Sequence, residues 1–222
     1  MSGQQQTRTL ELARQYFQQQ AEAGITEWLF PPCRESQGPP AGLDELYRQF
    51  KDCQRCQLWK ARTNFVFGAG NPEAEVAFIG EAPGREEDLQ GEPFVGRAGQ
   101  LLTRILEAIH FRREDVYIGN ILKCRPPENR DPQPEEVERC LPILEAQLRI
   151  IRPRLICALG RIAAQTLLRT SAPLSRLRGR IHELDGVKVI VTYHPAALLR
   201  NPNLKRPTWE DVQMLRKEYD RR

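Results

Sequence analysis

The chain has 222 residues, 40% of them hydrophobic and 28% charged, with a net charge of +4, the profile of an ordinary soluble protein of one domain or two small ones. No apolar run approaches the roughly 20 residues that span a bilayer, and residues 1–8 lack the basic and apolar regions of a signal peptide. A membrane span and a secreted disulfide scaffold are set aside, and the expectation is a cytoplasmic protein whose thiols stay reduced.

Residues 1–42 differ from the rest. Leu10, Ala13, Tyr16 and Phe17 have helical spacing, and the Pro- and Gly-rich stretches after residue 29 break any regular element. This segment reads as an N-terminal helical extension with a linker. It carries no visible chemistry: either it docks a repair partner or it is a plain extension. From residue 43 to 222 a second unit begins, with strands alternating with helices. Short apolar runs at 76–79, 116–118, 155–159 and 187–191 read as buried strands, and amphipathic stretches at 99–109, 134–149, 161–168 and 208–219 read as helices. Pro134-Glu-Glu makes a good helix start, with proline in the first turn and carboxylates at the positive end of the dipole. This alternation predicts an α/β fold: a three-layer α/β/α sandwich around a central four-stranded parallel sheet. Ligands in such sheets bind at the carboxyl ends of the strands, which singles out the loops beginning at Gly80, Asn120, Gly160 and Tyr193.

Two features suggest chemistry. Cys53 and Cys56 form a tight C-x2-C pair, and Cys124 and Cys140 bracket a Pro-rich loop. Thiolates from such separate places gather around zinc or an iron–sulfur cluster. Zinc ribbons pair two tight knuckles, whereas a 4Fe-4S cluster tolerates one tight pair with two scattered ligands, so zinc is less favoured. The bland alternative is four buried thiols that only pack, and Cys157, in an apolar run, is read that way. The second feature is charge: residues 176–222 hold 11 Lys/Arg against 6 Asp/Glu, a localised basic surface suited to a polyanion, although a solvated charged face explains it as well.

Three loop segments carry distinctive motifs: Gly-Glu-Ala-Pro-Gly (80–84) with its acidic tail and then Gly-Glu-Pro-Phe-Val-Gly-Arg-Ala-Gly (91–99); Asn-Ile-Leu-Lys-Cys-Arg-Pro-Pro-Glu-Asn-Arg (120–130); and Tyr-His-Pro-Ala-Ala-Leu-Leu-Arg (193–200). With the four cysteines, they closely resemble the iron–sulfur (family 4) uracil-DNA glycosylases, over roughly residues 45–220 and in the expected order. The resemblance implies a base-excision repair enzyme, a monomer, that flips uracil from single- or double-stranded DNA and hydrolyses its N-glycosidic bond. It implies that Cys53, Cys56, Cys124 and Cys140 hold the cluster. It assigns Asn120 to reading the base edge, Phe94 to stacking under uracil, and His194 to stabilising charge on uracil O2. Asn120 alone would otherwise read as a turn cap, Phe94 as core, and a lone histidine as structural.

Ala82 stands where cluster-free relatives carry a water-orienting aspartate, which leaves Glu81 as the nearest group for electrostatic support. Glu87 is a candidate guard of the C5 side, where Gly84 replaces a tyrosine of the other class. The run Glu86, Glu87, Asp88 reads equally well as a solvated acidic turn. Asn129 either supports the cluster loop or contacts the site. Leu198, Leu199 and Arg200 fit a wedge beside the flipped nucleotide, unless a leucine packs inward. The competing readings are a relative that captures uracil covalently, a uracil-DNA-binding or scaffold protein without hydrolysis, and a glycosylase for another deaminated base.

Overall fold

The computed structural model describes residues 42–221, and the predicted N-terminal helix and Cys33 lie outside them. In chain order the elements are α1 (Leu43–Phe50), β1 (Ala69–Gly70), β2 (Val76–Gly80), α2 (Arg85–Gln90), α3 (Arg97–Ala108), β3 (Tyr117–Asn120), α4 (Pro134–Ile151), β4 (Leu155–Leu159), α5 (Arg161–Leu167), α6 (Leu174–Leu177), β5 (Ile181–Leu184), β6 (Val187–Thr192), α7 (Pro195–Arg200) and α8 (Lys205–Asp220). One sheet runs in the order β1-β3-β2-β4-β6-β5.

The four predicted strands are β2, β3, β4 and β6, and they pair parallel as expected. The sheet is nevertheless six-stranded. Short antiparallel strands β1 and β5 extend its two edges. β1 has only two residues and β5 is half exposed, so neither makes the apolar run that betrays a central strand.

β2 and β4 are buried throughout, and successive side chains serve opposite faces. Ala77, Ile79, Ile156, Ala158, Val189 and Val191 pack on one side with Ile143 and Leu144 of α4 and Ala163 of α5. Val76, Phe78, Leu155, Cys157 and Ile190 pack on the other with Leu102 and Leu106 of α3 and Val212 and Leu215 of α8. These two cores make the three layers. Cys157 is fully buried in the second, a packing residue as its sequence context predicts. Among the described residues no helix is long and apolar enough to cross a membrane.

Candidate functional site

The carboxyl ends of β2, β3 and β6 enclose a cavity of about 370 Å³ whose walls include Glu81, Ala82, Glu87, Phe94, Asn120, Asn129, His194 and Arg200. Eight residues singled out in separate motifs therefore meet in one place. A larger cavity of about 560 Å³, lined by Leu148, Arg152 and Val187, borders the amino ends of β4 and β6, away from these loops.

Gly80, the last residue of β2, sits opposite Asn120, the last of β3. A Cβ at Gly80 would lie 2.5 Å from Asn120 Oδ1 and 2.5 Å from Phe94 Cζ. Only a missing side chain lets the amide and the ring converge across the strand end. Asn120 is 2% exposed and its Oδ1 has no hydrogen-bond partner. A buried acceptor left unpaired carries a desolvation cost, so its retention at a cavity wall points to an occupant that donates to it.

Phe94 has a left-handed backbone, φ 54°. Four hydrogen bonds hold it there. Glu87 Oε1 accepts from the N–H of Val95 at 3.0 Å and of Gly96 at 2.9 Å, while Arg113 donates to the carbonyls of Phe94 at 3.0 Å and Pro93 at 2.9 Å. Behind the loop, a Cβ at Gly99 would meet Phe94 O at 1.9 Å, which requires glycine where α3 closes onto this turn. The acidic run is therefore not a solvated turn at Glu87 and Asp88, although Glu86 is exposed. Glu87 pins the platform loop, and buried Asp88 accepts from the N–H of Thr63 at 2.9 Å and of Asn64 at 3.3 Å.

His194 caps α7, its Nδ1 accepting from the Ala196 N–H at 3.1 Å. Burial lowers its pKa from an ordinary 6.5 to about 4; the Arg200 cation adds to the effect and Glu87 opposes it. The ring is thus neutral at physiological pH. With Nδ1 an acceptor, the proton resides on Nε2 and that edge is a donor. The Phe94 and His194 rings lie 5.6 Å apart. Gly160, φ 93°, packs beneath His194, where a Cβ would lie 2.9 Å from the histidine Cβ. From the far side, Arg178 stacks 4.3 Å over the neighbouring Tyr193 ring and donates to buried Asp211 of α8 at 2.7 Å. The other histidines have no such setting: His182 bonds the Leu177 carbonyl at 2.7 Å, and His110 occupies a left-handed turn.

Glu81 lines the same cavity with its pKa raised, first by burial and then by the charge of Asp131, against the opposing cation Arg161. Arg161 and Asp131 form a 2.5 Å ion pair. Asn129, also left-handed at φ 55°, accepts from Arg125 Nε at 2.8 Å. Beside it, Arg130 makes a two-pronged bond to Glu136 at 2.5 and 2.8 Å, which anchors the loop to the start of α4. Sequence reasoning missed Arg113, Arg130, Asp131 and Arg161. Arg130 had a signal in its motif; the others act across the fold and had none.

The wedge residues divide. Leu199 is 39% exposed and Arg200 is exposed, but Leu198 is 2% exposed and packs inward, which removes it from the predicted wedge. Cys124 and Cys140 are buried, Cys53 and Cys56 partly so. Burial raises the pKa of Cys124 and raises that of Cys140 to about 12, and the sulfurs lie near enough for their charges to act on one another. Arg62 Nη1 donates to Cys124 Sγ at 3.2 Å, and the Lys123 N–H donates to Cys140 Sγ at 3.2 Å. Among the described residues no group of three or more His, Cys, Asp or Glu is arranged to hold a single metal ion.

A profile of the uracil DNA glycosylase superfamily matches residues 67–213. Curated relatives named type-4 uracil-DNA glycosylase include one from Archaeoglobus fulgidus, 51% identical over 181 residues, which are 78% of this chain and 91% of the relative. Another, from Thermotoga maritima, is 48% identical over 175 residues, 77% of this chain and 91% of the relative. A third, from Saccharolobus solfataricus, is 44% identical over 183 residues, 78% of this chain and 85% of the relative. Similarity of this extent, on a fold that gathers the motif residues around one cavity, means that the chain belongs to the uracil DNA glycosylase superfamily and, within it, to the type-4 family.

Proposed function

We propose that the chain excises uracil from DNA, breaking the bond between deoxyribose C1′ and uracil N1 and leaving an abasic site. The observation that carries this reading is the unpaired, buried Oδ1 of Asn120 in a cavity shared with Phe94 and a neutral His194.

Uracil presents an N3–H donor beside the O4 acceptor. Asn120 offers the complement, with Oδ1 accepting from N3–H and its NH₂ donating to O4. Cytosine reverses both groups and leaves them unpaired in a dry pocket, the kind of mismatch that rejects an analogue by about 10⁴–10⁵-fold. Phe94, fixed by Glu87 and Arg113, supplies the surface on which the base stacks, a contribution of about 1–3 kcal/mol.

As the C1′–N1 bond lengthens, its electron pair moves into the base and charge grows on O2. The Nε2–H of His194 is the donor for that oxygen, already oriented by the bond at Nδ1. A neutral donor stabilises the anion without passing its proton outright. The sugar becomes cationic, and the carboxylates of Glu81 and Asp131 supply negative potential on the cavity wall. Water adds its oxygen to C1′ and gives up a proton to solvent. With alanine at position 82, no carboxylate there deprotonates the water, and the cationic sugar captures it without a base.

The four cysteines suit a 4Fe-4S cluster: their sulfurs influence one another, and two of them accept hydrogen bonds that favour the thiolate form. The cluster's contribution when bound is structural, tying the segment at Cys53 and Cys56 to Cys124, at the start of the loop that delivers Asn129 to the cavity, and to Cys140 in α4. Leu199 and Arg200 fill the gap left by the flipped nucleotide.

The test is an end-labelled oligonucleotide with one uracil, incubated with the protein and then heated in alkali. Strand cleavage at uracil, lost in Asn120→Ala, is the expected result. Because Asn120 Oδ1 has no partner to lose, that variant should unfold within about 1 kcal/mol of the parent. No cleavage by the parent would refute the activity, and a band shifted by the mass of the protein would indicate covalent capture instead.

A further inference from the structure

A groove of about 330 Å³ separates α3 from α8, on the other side of α7 from the uracil cavity. Its floor is apolar, contributed by Leu101, Ile105 and Leu198, and its wall is Trp209, 41% exposed. The two charged residues that line it, Arg104 and Lys205, are both cations, and both are exposed. Three consecutive residues of α7 connect the two sites: Arg200 lines the cavity, Leu199 projects to solvent between them, and Leu198 lines the groove.

We infer that this groove is a second nucleotide subsite, in which Trp209 stacks on a base of the same strand and Arg104 and Lys205 hold its phosphate. An exposed aromatic between unopposed cations is the arrangement by which single-stranded nucleic acid is held without regard to sequence. An exposed tryptophan over an apolar floor leaves apolar ring surface in water, which is unfavourable, and stacking on a base removes that surface from water. Position defines the reach. A helix with its side chains is about 10 Å across, so the base held here lies beyond the flipped nucleotide's immediate neighbour on the strand. The inference rests on the uracil-excision reading for its substrate, and its consequence is a minimum strand length for tight binding.

The test uses the full chain and single-stranded oligonucleotides carrying one uracil, either long on both sides or cut back to the uracil's immediate neighbour on one side. On the long strand, Trp209→Ala should raise KM about tenfold to a hundredfold with kcat unchanged, and Trp209→Phe should recover most of the loss. On the strand trimmed on the side that the groove reads, the parent protein itself should show the raised KM, and Trp209→Ala should add nothing. Arg104→Ala with Lys205→Ala should lower the slope of log affinity against log salt by about 0.7 for each phosphate left without its cation, a change that a packing defect does not produce. An unchanged KM for Trp209→Ala on the long strand overturns the inference, as does a loss that persists on both trimmed strands. A concentration-dependent dimer that disappears in Trp209→Ala, without any dependence on strand length, would assign the groove to a second copy and overturn it too. If the parent releases uracil from none of these strands, the excision reading fails by itself. Affinity for a uracil-free strand then decides the groove, and equal affinity of the parent and Trp209→Ala overturns it.

Discussion

Gly80→Ala should damage the site far more than the fold. The added methyl carbon would lie 2.5 Å from Phe94 Cζ, 2.9 Å from Phe94 Cε2 and 2.5 Å from Asn120 Oδ1, whereas carbon atoms settle at about 3.5 Å or beyond. About 1 Å of displacement must therefore be shared between the stacking platform and the base-reading amide. Neither yields easily: Phe94 is held by Glu87, Arg113 and the start of α3, and Asn120 ends a paired strand. A misplacement of that size costs about a hundredfold in rate, or ~2.7 kcal/mol of transition-state stabilisation. Overpacking should cost about 1–3 kcal/mol of folding stability. Single-turnover uracil release from a labelled oligonucleotide measures the first quantity and denaturant unfolding the second. Phe94→Ala provides the internal check. It removes one of the two obstructed groups, so adding Gly80→Ala to it should lower activity by much less than a hundredfold, a coupling between neighbours that independent sites lack. Activity of Gly80→Ala within threefold of the parent would refute the idea that convergence across Gly80 forms the pocket.

His194 should titrate near its lowered pKa of about 4 by NMR, with its resonance identified by its absence in His194→Asn. Since the folded pKa lies below the ordinary 6.5, the native state is fully favoured above pH 6.5 and loses stability as pH falls from 6.5 to about 4. That loss is on the order of 3 kcal/mol, at about 1.36 kcal/mol per pKa unit, and should shrink in His194→Asn; an unchanged stability profile would contradict a buried neutral ring. Arg130→Ala leaves Glu136, whose side chain is 5% exposed, without its main partner and should lower stability on denaturation while lowering activity through the Asn129 loop. A loss in activity with no change in stability would mean that Arg130 acts on DNA rather than on the loop. On the proposed cluster assignment, Cys56→Ser should abolish visible absorbance and leave the 124–133 loop susceptible to proteolysis, and retention of both colour and resistance would remove Cys56 from that assignment.

The central sheet was readable because a strand buried on both faces is an uninterrupted apolar run, and four such runs are present. The edges were not, because β1 and β5 gain their pairing from a neighbour rather than from their own pattern. Helix α2 reads as an acidic turn because Glu86, Glu87 and Asp88 look solvated in one dimension. In three, two of them accept backbone N–H groups from loops that follow or precede them. The division of Leu198 from Leu199 was equally hidden, since adjacent residues on a helix point about 100° apart and only the position of α3 and α8 decides which one is covered.

By itself the sequence determined the chemical types: which segments are apolar enough to pair, where glycines permit close approach, and which amide, ring, imidazole and thiols are available in the motif order of one enzyme family. Their protonation and aim were decided by the tertiary structure. Asn120 can stand with an unpaired acceptor at the cavity wall because β2 ends beside it in a glycine, and His194 is neutral with Nε2 as donor because α7 begins there and the surrounding loops desolvate the ring. Local residue pattern dictates secondary structure, whereas desolvation and hydrogen-bond pairing depend on groups distant in the chain, and those exist only once the layers have packed.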